Sequence, residues 1–327
     1  MTATPIVGNL ALYPWFKFFQ NLIFWQAIWF LYFQNELSAA EAILMYAIYD
    51  IGTTVLEVPS GYMSDRIGRR FTLIFSAITG FLGAAMLALG DSFAVFALAQ
   101  VLLGASAAFA SGTDTGLLYE TLKAAGRHEE IERQELRAWR FSFTALAISA
   151  VTGGLMALQS NTIPFFAGAL AFVGVLIITL RFQEPPHART TIAQGAELVR
   201  LGSLKSALTE PVLVWLFILS VLMYGFSHLP FVFGQPFILE ALRESGFDGQ
   251  APGVSGVVSA VMMLLSVGTS LIALRLRQFI GLPAILLLAF GMQIGLSGVL
   301  ALTNEAIVIG FLLLRKVPDS LSRPCLL

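Results

Sequence analysis

Apolar residues occur along this chain in long stretches that are separated by short polar segments. Each stretch is about 20 residues long, which as an α-helix is enough to cross roughly 30 Å of hydrocarbon. The pattern therefore predicts an all-α integral membrane protein with about ten transmembrane helices, the tenth beginning at Asn304. The nine preceding spans are predicted near residues 13–34, 39–60, 71–90, 92–117, 138–158, 163–181, 211–233, 253–274 and 279–302.

Composition agrees with this interpretation and excludes several classes of protein. Hydrophobic residues make up 57% of the 327 positions and charged residues only 12%, against roughly 25% charged residues in soluble domains. The net charge of −1 offers no general attraction to nucleic acid. One cysteine and three histidines exclude a disulfide framework and a metal centre. No nucleophile–base pair or phosphate-binding glycine loop is visible, so we expect neither an enzyme nor a cofactor.

The placement of basic residues predicts the orientation in the membrane. Most of the 19 Lys and Arg residues fall on one side when the spans alternate from a cytoplasmic N-terminus, as the positive-inside rule requires. We therefore expect a multi-pass protein of the plasma (inner) membrane. A polar stretch near 183–210 divides the chain into a six-helix half, residues 1–182, a cytoplasmic linker and an incomplete four-span half, residues 211–327. Its part from Ile192 to Leu208 is either a surface helix or solvated linker.

One inner loop carries the strongest motif in the chain. Residues 57–70 read EVPSGYMSDRIGRR and lie between the second and third predicted spans. The loop resembles the Gly-x-x-x-Asp-Arg-x-Gly-Arg-Arg loop of the major facilitator superfamily, which occupies the same place. The resemblance implies that this loop is a latch between two halves of a transporter; the alternative is a basic loop that only sets topology. The matching residues are Gly61, Asp65, Arg66, Gly68, Arg69 and Arg70.

The residues of the loop also have a physical interpretation. We expect Gly61 to end a helix and Gly68 to make the tight turn. Arg66 or Arg69 is expected to pair with a carboxylate of the fourth span, where Asp114 and Glu120 are available.

The resemblance further implies a twelve-helix transporter with two pseudo-repeated halves. Because the pattern here gives about ten spans, we expect a C-terminally truncated member. Gln100 stands where proton-coupled drug antiporters of the family often carry Arg, and only Gly153 and Gly154 remain of a second antiporter motif. Classical drug/proton antiport is therefore not expected, although membership of the family is.

Ionisable residues inside the predicted spans are candidates for proton coupling, since each is costly in hydrocarbon. Asp50 lies near mid-membrane and shares one helix face with Thr54, Glu57 and Gly61. Asp50 is either a protonatable carboxylate or a structural one, and Glu57 is close enough to the loop to belong to the latch. Asp114 is a third candidate, with ion pairing to Arg137 and Arg140 as its structural alternative.

Four residues are candidates for the substrate cavity. Asn21 and Trp25 lie on one face of the first predicted span, which lines the cavity in the family that the chain resembles. His228 lies in the seventh span, and Arg315 falls near mid-membrane if the tenth span continues past Pro318. The alternatives are aromatic packing, a structural histidine and a basic flank of the membrane.

Together these features predict a secondary active transporter that moves a small solute by alternating access and is coupled to protons. Its expected partners are a small-molecule substrate and the lipid bilayer, with no nucleic acid, and the expected state is a monomer. A non-transporting membrane sensor, or a nonfunctional truncated remnant, is the alternative.

Overall fold

The computed structural model describes residues 5–186, 209–243, 246–302, 309–318 and 320–321, so the predicted surface helix and the start of the tenth span lie outside the described residues. Within these ranges the fold is helical, and eight helices are long and apolar enough to cross a membrane. The all-α membrane fold is thereby confirmed. The α-helices are α1 Gly8–Gln20, α2 Trp29–Glu36, α3 Ala39–Arg66, α4 Arg69–Leu89, α5 Phe93–Ala110, α6 Thr113–Ala124, α7 Ile131–Ala157, α8 Ile163–Arg181, α9 Pro211–Arg243, α10 Ala251–Ile280, α11 Leu282–Leu302 and α12 Ile309–Leu312.

The chain divides into two compact units. The first consists of residues 1–187 and 235–264, and the second of residues 188–234 and 265–327. The first unit has a core between α1, α4, α6 and α8, in which Phe16, Leu73, Leu117 and Phe182 are almost fully buried. In the second unit, Leu219 and Met223 of α9 pack on Leu286 and Ala289 of α11.

The first membrane segment is not the single helix that the apolar pattern predicts. It is divided into α1 and α2 by a short 3-10 helix, Phe24–Ala27. The polar side chains in the break are bound by α7: the Asn21 amide donates to Ser142 Oγ at 3.2 Å, and the Gln26 amide donates to Ser149 Oγ at 3.1 Å. Gly153 of α7 lets the two backbones touch, because a Cβ there would lie 1.8 Å from the Phe24 carbonyl oxygen.

A glutamine of α9 binds two of the backbone groups next to this break. Gln235 Oε1 accepts from the Phe30 N–H at 2.8 Å, and Gln235 Nε2 donates to the Gln26 carbonyl at 2.7 Å. Inside a membrane no water replaces these bonds, and each unsatisfied backbone group is costly. Gln235 is therefore one of the residues that stabilise the non-helical turn.

The fourth membrane segment is also broken, between α5 and α6. Gly112 has a positive φ of 70° and stands directly before the first residue of α6. Before the break, α5 packs tightly on its neighbours through small residues. A Cβ at Gly104 would lie 2.8 Å from the Tyr49 carbonyl oxygen, and one at Gly83 would lie 2.9 Å from the Ala99 carbonyl oxygen, which is the close approach typical of membrane helices.

Replacing Gln235 by leucine should destabilise the first unit. Leucine fills similar space but removes both hydrogen bonds, so two backbone groups lose their partners at an expected cost of about 2 kcal/mol or more. Gln278→Leu, at an exposed position of α10, is the matched control. The midpoint of thermal unfolding of the purified protein in detergent is the measurement. Equal midpoints for the two variants would contradict the assigned role of Gln235.

Replacing Gln100 should have the opposite effect and stabilise the protein. Its side chain is fully buried on α5, and neither amide atom has a hydrogen-bond partner among the described residues. An orphaned buried amide costs about 1–3 kcal/mol, so Gln100→Met should raise the midpoint of thermal unfolding. Gln34→Met, at an exposed position, controls for the added thioether. A lower midpoint for Gln100→Met would show that the amide has a stabilising partner.

Candidate functional site

The loop between α3 and α4 is built around one glycine with a backbone that other residues rarely adopt. Gly68 has φ 125°, and a Cβ at this position would lie 2.8 Å from a carboxylate oxygen of Glu184. The predicted turn at Gly68 is confirmed. The prediction for Gly61 is wrong, because α3 continues through it to Arg66 and nothing lies within 4 Å of a Cβ built there.

Arg69 is the centre of the charge cluster on this loop. Its guanidinium lies 3.2 Å from Glu120 Oε1 of α6 and 3.0 Å from Asp65 Oδ1, and it donates to Ser64 Oγ at 2.7 Å. Of the pairs that the sequence left open between Arg66 or Arg69 and Asp114 or Glu120, the structure forms Arg69 with Glu120. Arg69 is largely shielded from solvent while Asp65 is exposed, so the contact with Glu120 is the less screened of the two.

A carboxylate that the sequence analysis did not single out caps the start of α4. Glu184 Oε1 accepts from the Arg69 N–H at 2.7 Å, and Oε2 accepts from the Arg70 N–H at 2.8 Å. The first N–H groups of a helix have no partner within it, and the helix dipole favours an anion there. The only sequence signal is an acidic residue between the end of α8 and Pro185-Pro186.

The remaining arginines of the motif differ in their contacts. Arg70 donates to the Thr179 and Leu180 carbonyls at 3.3 Å and 2.6 Å, which places a cation at the C-terminus of α8. Arg66 lies over the Tyr62 ring, 5.0 Å from its centroid. Through Glu184 and Arg70 the loop is thus tied at two points to the end of the sixth membrane segment.

A second charge cluster joins the two broken membrane segments. Lys17 in the last turn of α1 forms a largely buried ion pair with Asp114 in the first turn of α6. This arrangement corrects two expectations: Asp114 does not pair with Arg69, and its partner is not Arg137 or Arg140. Each charge also has the sign that its own helix end favours. Beside the pair, the Tyr13 hydroxyl donates to Glu135 Oε1 of α7 at 3.4 Å.

The two carboxylates predicted on α3 lie in less enclosed surroundings. Glu57 is exposed and accepts a hydrogen bond from Ser111 Oγ at 3.4 Å, next to the break in the fourth segment. Asp50 is half-buried, and its backbone carbonyl accepts a hydrogen bond from Thr54 Oγ1 at 2.8 Å. Their part in proton coupling stays a prediction.

The four cavity candidates lie in separate units. In the first unit Trp25 is buried and stacks on Phe165, with ring centroids 5.6 Å apart. In the second unit, His228 stacks on Tyr224 at 5.6 Å, and Arg315 Nη1 lies 3.6 Å from where a Cβ on Gly234 would be. Substrate contact by Asn21, Trp25, His228 and Arg315 stays a prediction. No group of three potential metal ligands occurs among the described residues.

The chain is similar to known membrane transporters along its length. The family model of the Major Facilitator Superfamily matches residues 11–326. The quinolone resistance protein NorA of Staphylococcus aureus (strain Mu50 / ATCC 700699) is 24% identical over 199 residues, which cover 58% of this chain and 48% of NorA. The chain thus spans about half the length of the curated relatives it matches.

Solved structures show the same fold. The nucleoside transporter NupG has a TM-score of 0.73 at 14% identity, with 96% of this chain and 79% of that chain covered. The D-xylose-proton symporter has a TM-score of 0.67 at 14% identity, with 98% and 81% covered. At this identity the likeness is one of fold alone.

Glu184→Gln should loosen the loop between α3 and α4. The amide keeps the shape of the side chain but loses the charge that the two backbone donors and the helix dipole favour, at an expected cost of about 1 kcal/mol. We expect a lower midpoint of thermal unfolding and faster hydrogen exchange at the start of α4. Glu129→Gln, at an exposed loop position, should change neither quantity. Unchanged exchange in Glu184→Gln would argue against the cap.

Proposed function

The chain belongs to the Major Facilitator Superfamily, and on this basis we propose that it is a secondary active transporter of a small solute, coupled to protons. In the proposed mechanism residues 1–182 and 211–327 form two halves, joined by the linker 183–210, that rock around a central site. The N-terminus is cytoplasmic, the working unit is a monomer in the plasma membrane, and the loop at 61–70 is the latch between the halves. Fold and family membership support this proposal.

The observation that carries proton coupling is the buried pair of Lys17 and Asp114. An ionised carboxylate in a membrane span needs a compensating charge, and here that charge sits on another broken segment. Protonation of Asp114 would leave Lys17 without its partner and weaken the link between α1 and α6. Glu135 lies close enough to interact electrostatically with both residues, and therefore offers Lys17 a second carboxylate.

The other predicted site residues have subsidiary roles in this proposal. Asp50 lies on α3 as an additional protonatable group, and Glu57 connects α3 to the break in the fourth segment through Ser111. We assign Asn21, Trp25, His228 and Arg315 to the walls of the substrate cavity. Arg315 would give the cavity a cationic group for the polar part of a solute.

The names of the similar proteins define the probes for the experiment. NorA is named for quinolone resistance, NupG is a nucleoside transporter, and the third is a D-xylose-proton symporter. A quinolone, a nucleoside and D-xylose therefore cover three chemical classes of candidate solute. Each is tested with the purified chain in liposomes, with and without an imposed pH gradient.

We expect the pH gradient to drive accumulation of at least one of these solutes by the wild-type chain. Asp114→Asn should abolish this gradient-driven accumulation, because the amide cannot release a proton. Glu129→Gln, at an exposed position between α6 and α7, is the matched control and should transport normally. Asp50→Asn separates the two candidate carboxylates: if it alone abolished accumulation, the coupling site would be on α3.

Two results would contradict the proposal at different levels. Equal uptake with and without the gradient would leave transport intact but remove proton coupling. Binding of a solute without any flux across the liposome membrane would favour the non-transporting sensor instead.

A further inference from the structure

Three arginines line one face of α7 at its inner end. Arg133, Arg137 and Arg140 follow the spacing i, i+4 and i+7, which places them on the same side of a helix, and all three are exposed. With Arg127 and neighbouring residues they line a concave surface, whose cavity has a volume of about 770 Å³. This arginine face is separate from the inner loop and from the Lys17–Asp114 pair.

Two of these arginines lie beside apolar side chains rather than in a wholly polar surrounding. Arg137 and Arg140 are six and nine residues beyond the start of α7 at Ile131, about 9 Å and 14 Å along the axis. Leu136 is 53% exposed and Trp139 45% exposed at the same level. A guanidinium at the edge of hydrocarbon needs an anion or water.

The protein itself does not provide that anion within the described ranges. Arg127 is paired with Glu130 through two contacts of 2.6 Å and 2.7 Å, whereas Arg133, Arg137 and Arg140 form no ion pair with any described residue. Glu129, Glu130 and Glu132 also line the concave surface and precede the three arginines in the chain. Glu130 interacts electrostatically with Arg133, so the proposal rests on Arg137 and Arg140.

The same face of α7 becomes apolar further along the helix. Thr144, Ile148 and Leu155 continue the spacing from Arg140, and Ile148 and Leu155 are 46% and 55% exposed. A strip that is cationic at one end and apolar along the rest has the shape and polarity of a phospholipid, with its headgroup at the membrane edge. A soluble anion would contact only the arginines and would leave the apolar side chains of Ile148 and Leu155 uncovered.

We propose that the arginine face of α7 binds the phosphate headgroup of an anionic phospholipid, whose acyl chain lies along Ile148 and Leu155. The guanidinium group donates two parallel hydrogen bonds to phosphate oxygens, which makes arginine better suited to this contact than lysine. The bound lipid supplies the counter-charge that Arg137 and Arg140 otherwise lack. This inference is independent of the proposed transport activity and needs no solute.

The test is the thermal stability of the purified chain in detergent, titrated with phosphatidylglycerol and separately with phosphatidylcholine. Phosphatidylglycerol should raise the unfolding midpoint of the wild type in a saturable way, and phosphatidylcholine should not. In R137Q/R140Q the half-saturating phosphatidylglycerol concentration should rise roughly thirtyfold, the factor expected for two basic residues near an anionic headgroup. R137K/R140K keeps the charge and should show an intermediate loss, and it provides the test if the glutamine variant does not fold.

R275Q/R277Q is the matched control. It removes two exposed arginines from the inner end of α10 that do not share a helix face, so its half-saturating concentration should stay within about twofold of the wild type. An equal loss in both glutamine variants would overturn the site in favour of diffuse attraction. Competition by inorganic phosphate at millimolar concentration would identify a soluble anion as the occupant, and would overturn the lipid assignment.

Discussion

Hydrocarbon provides neither water nor counter-ions, and this constraint determines where polar groups lie in the chain. A backbone that leaves the helical path, or a charge that enters a span, must find its partner within the protein or in a headgroup. Gln235 meets this requirement for the broken first segment, and Lys17 meets it for Asp114. These polar residues are therefore arranged in small clusters with their partners, whereas the buried amide of Gln100 has no partner among the described residues.

The loop between α3 and α4 shows how such clusters give rigidity. Gly68 permits the turn, Glu184 neutralises the start of α4, and Arg70 neutralises the end of α8. These contacts join α3, α4 and α8, which all belong to the first six membrane segments. Rigidity would suit the proposed role of this loop as a latch, because a flexible loop would lose conformational entropy each time it closed.

Prediction from the sequence succeeded where the controlling residue is local or marked by topology. The turn at Gly68 follows from glycine chemistry, and the Arg69–Glu120 contact follows from two spans ending on the same side. It failed where the partner is distant: Asp114 is 97 residues from Lys17, and Glu184 is 115 residues from Arg69. The break of the first segment contains neither glycine nor proline, and one of the residues that stabilise it, Gln235, is more than 200 residues away.

The two helix breaks and the ion pair between them form one mechanical connection. Lys17 occupies the last turn of α1, where the helix dipole favours a cation, and Asp114 occupies the first turn of α6, where it favours an anion. Each charge therefore stabilises its own helix end and also the pair. In the proposed mechanism, a change of charge at Asp114 would weaken the contact between the end of α1 and the start of α6. For this reason the proposal places proton coupling at Asp114, beside a helix break, rather than at Asp50, which lies within the uninterrupted α3.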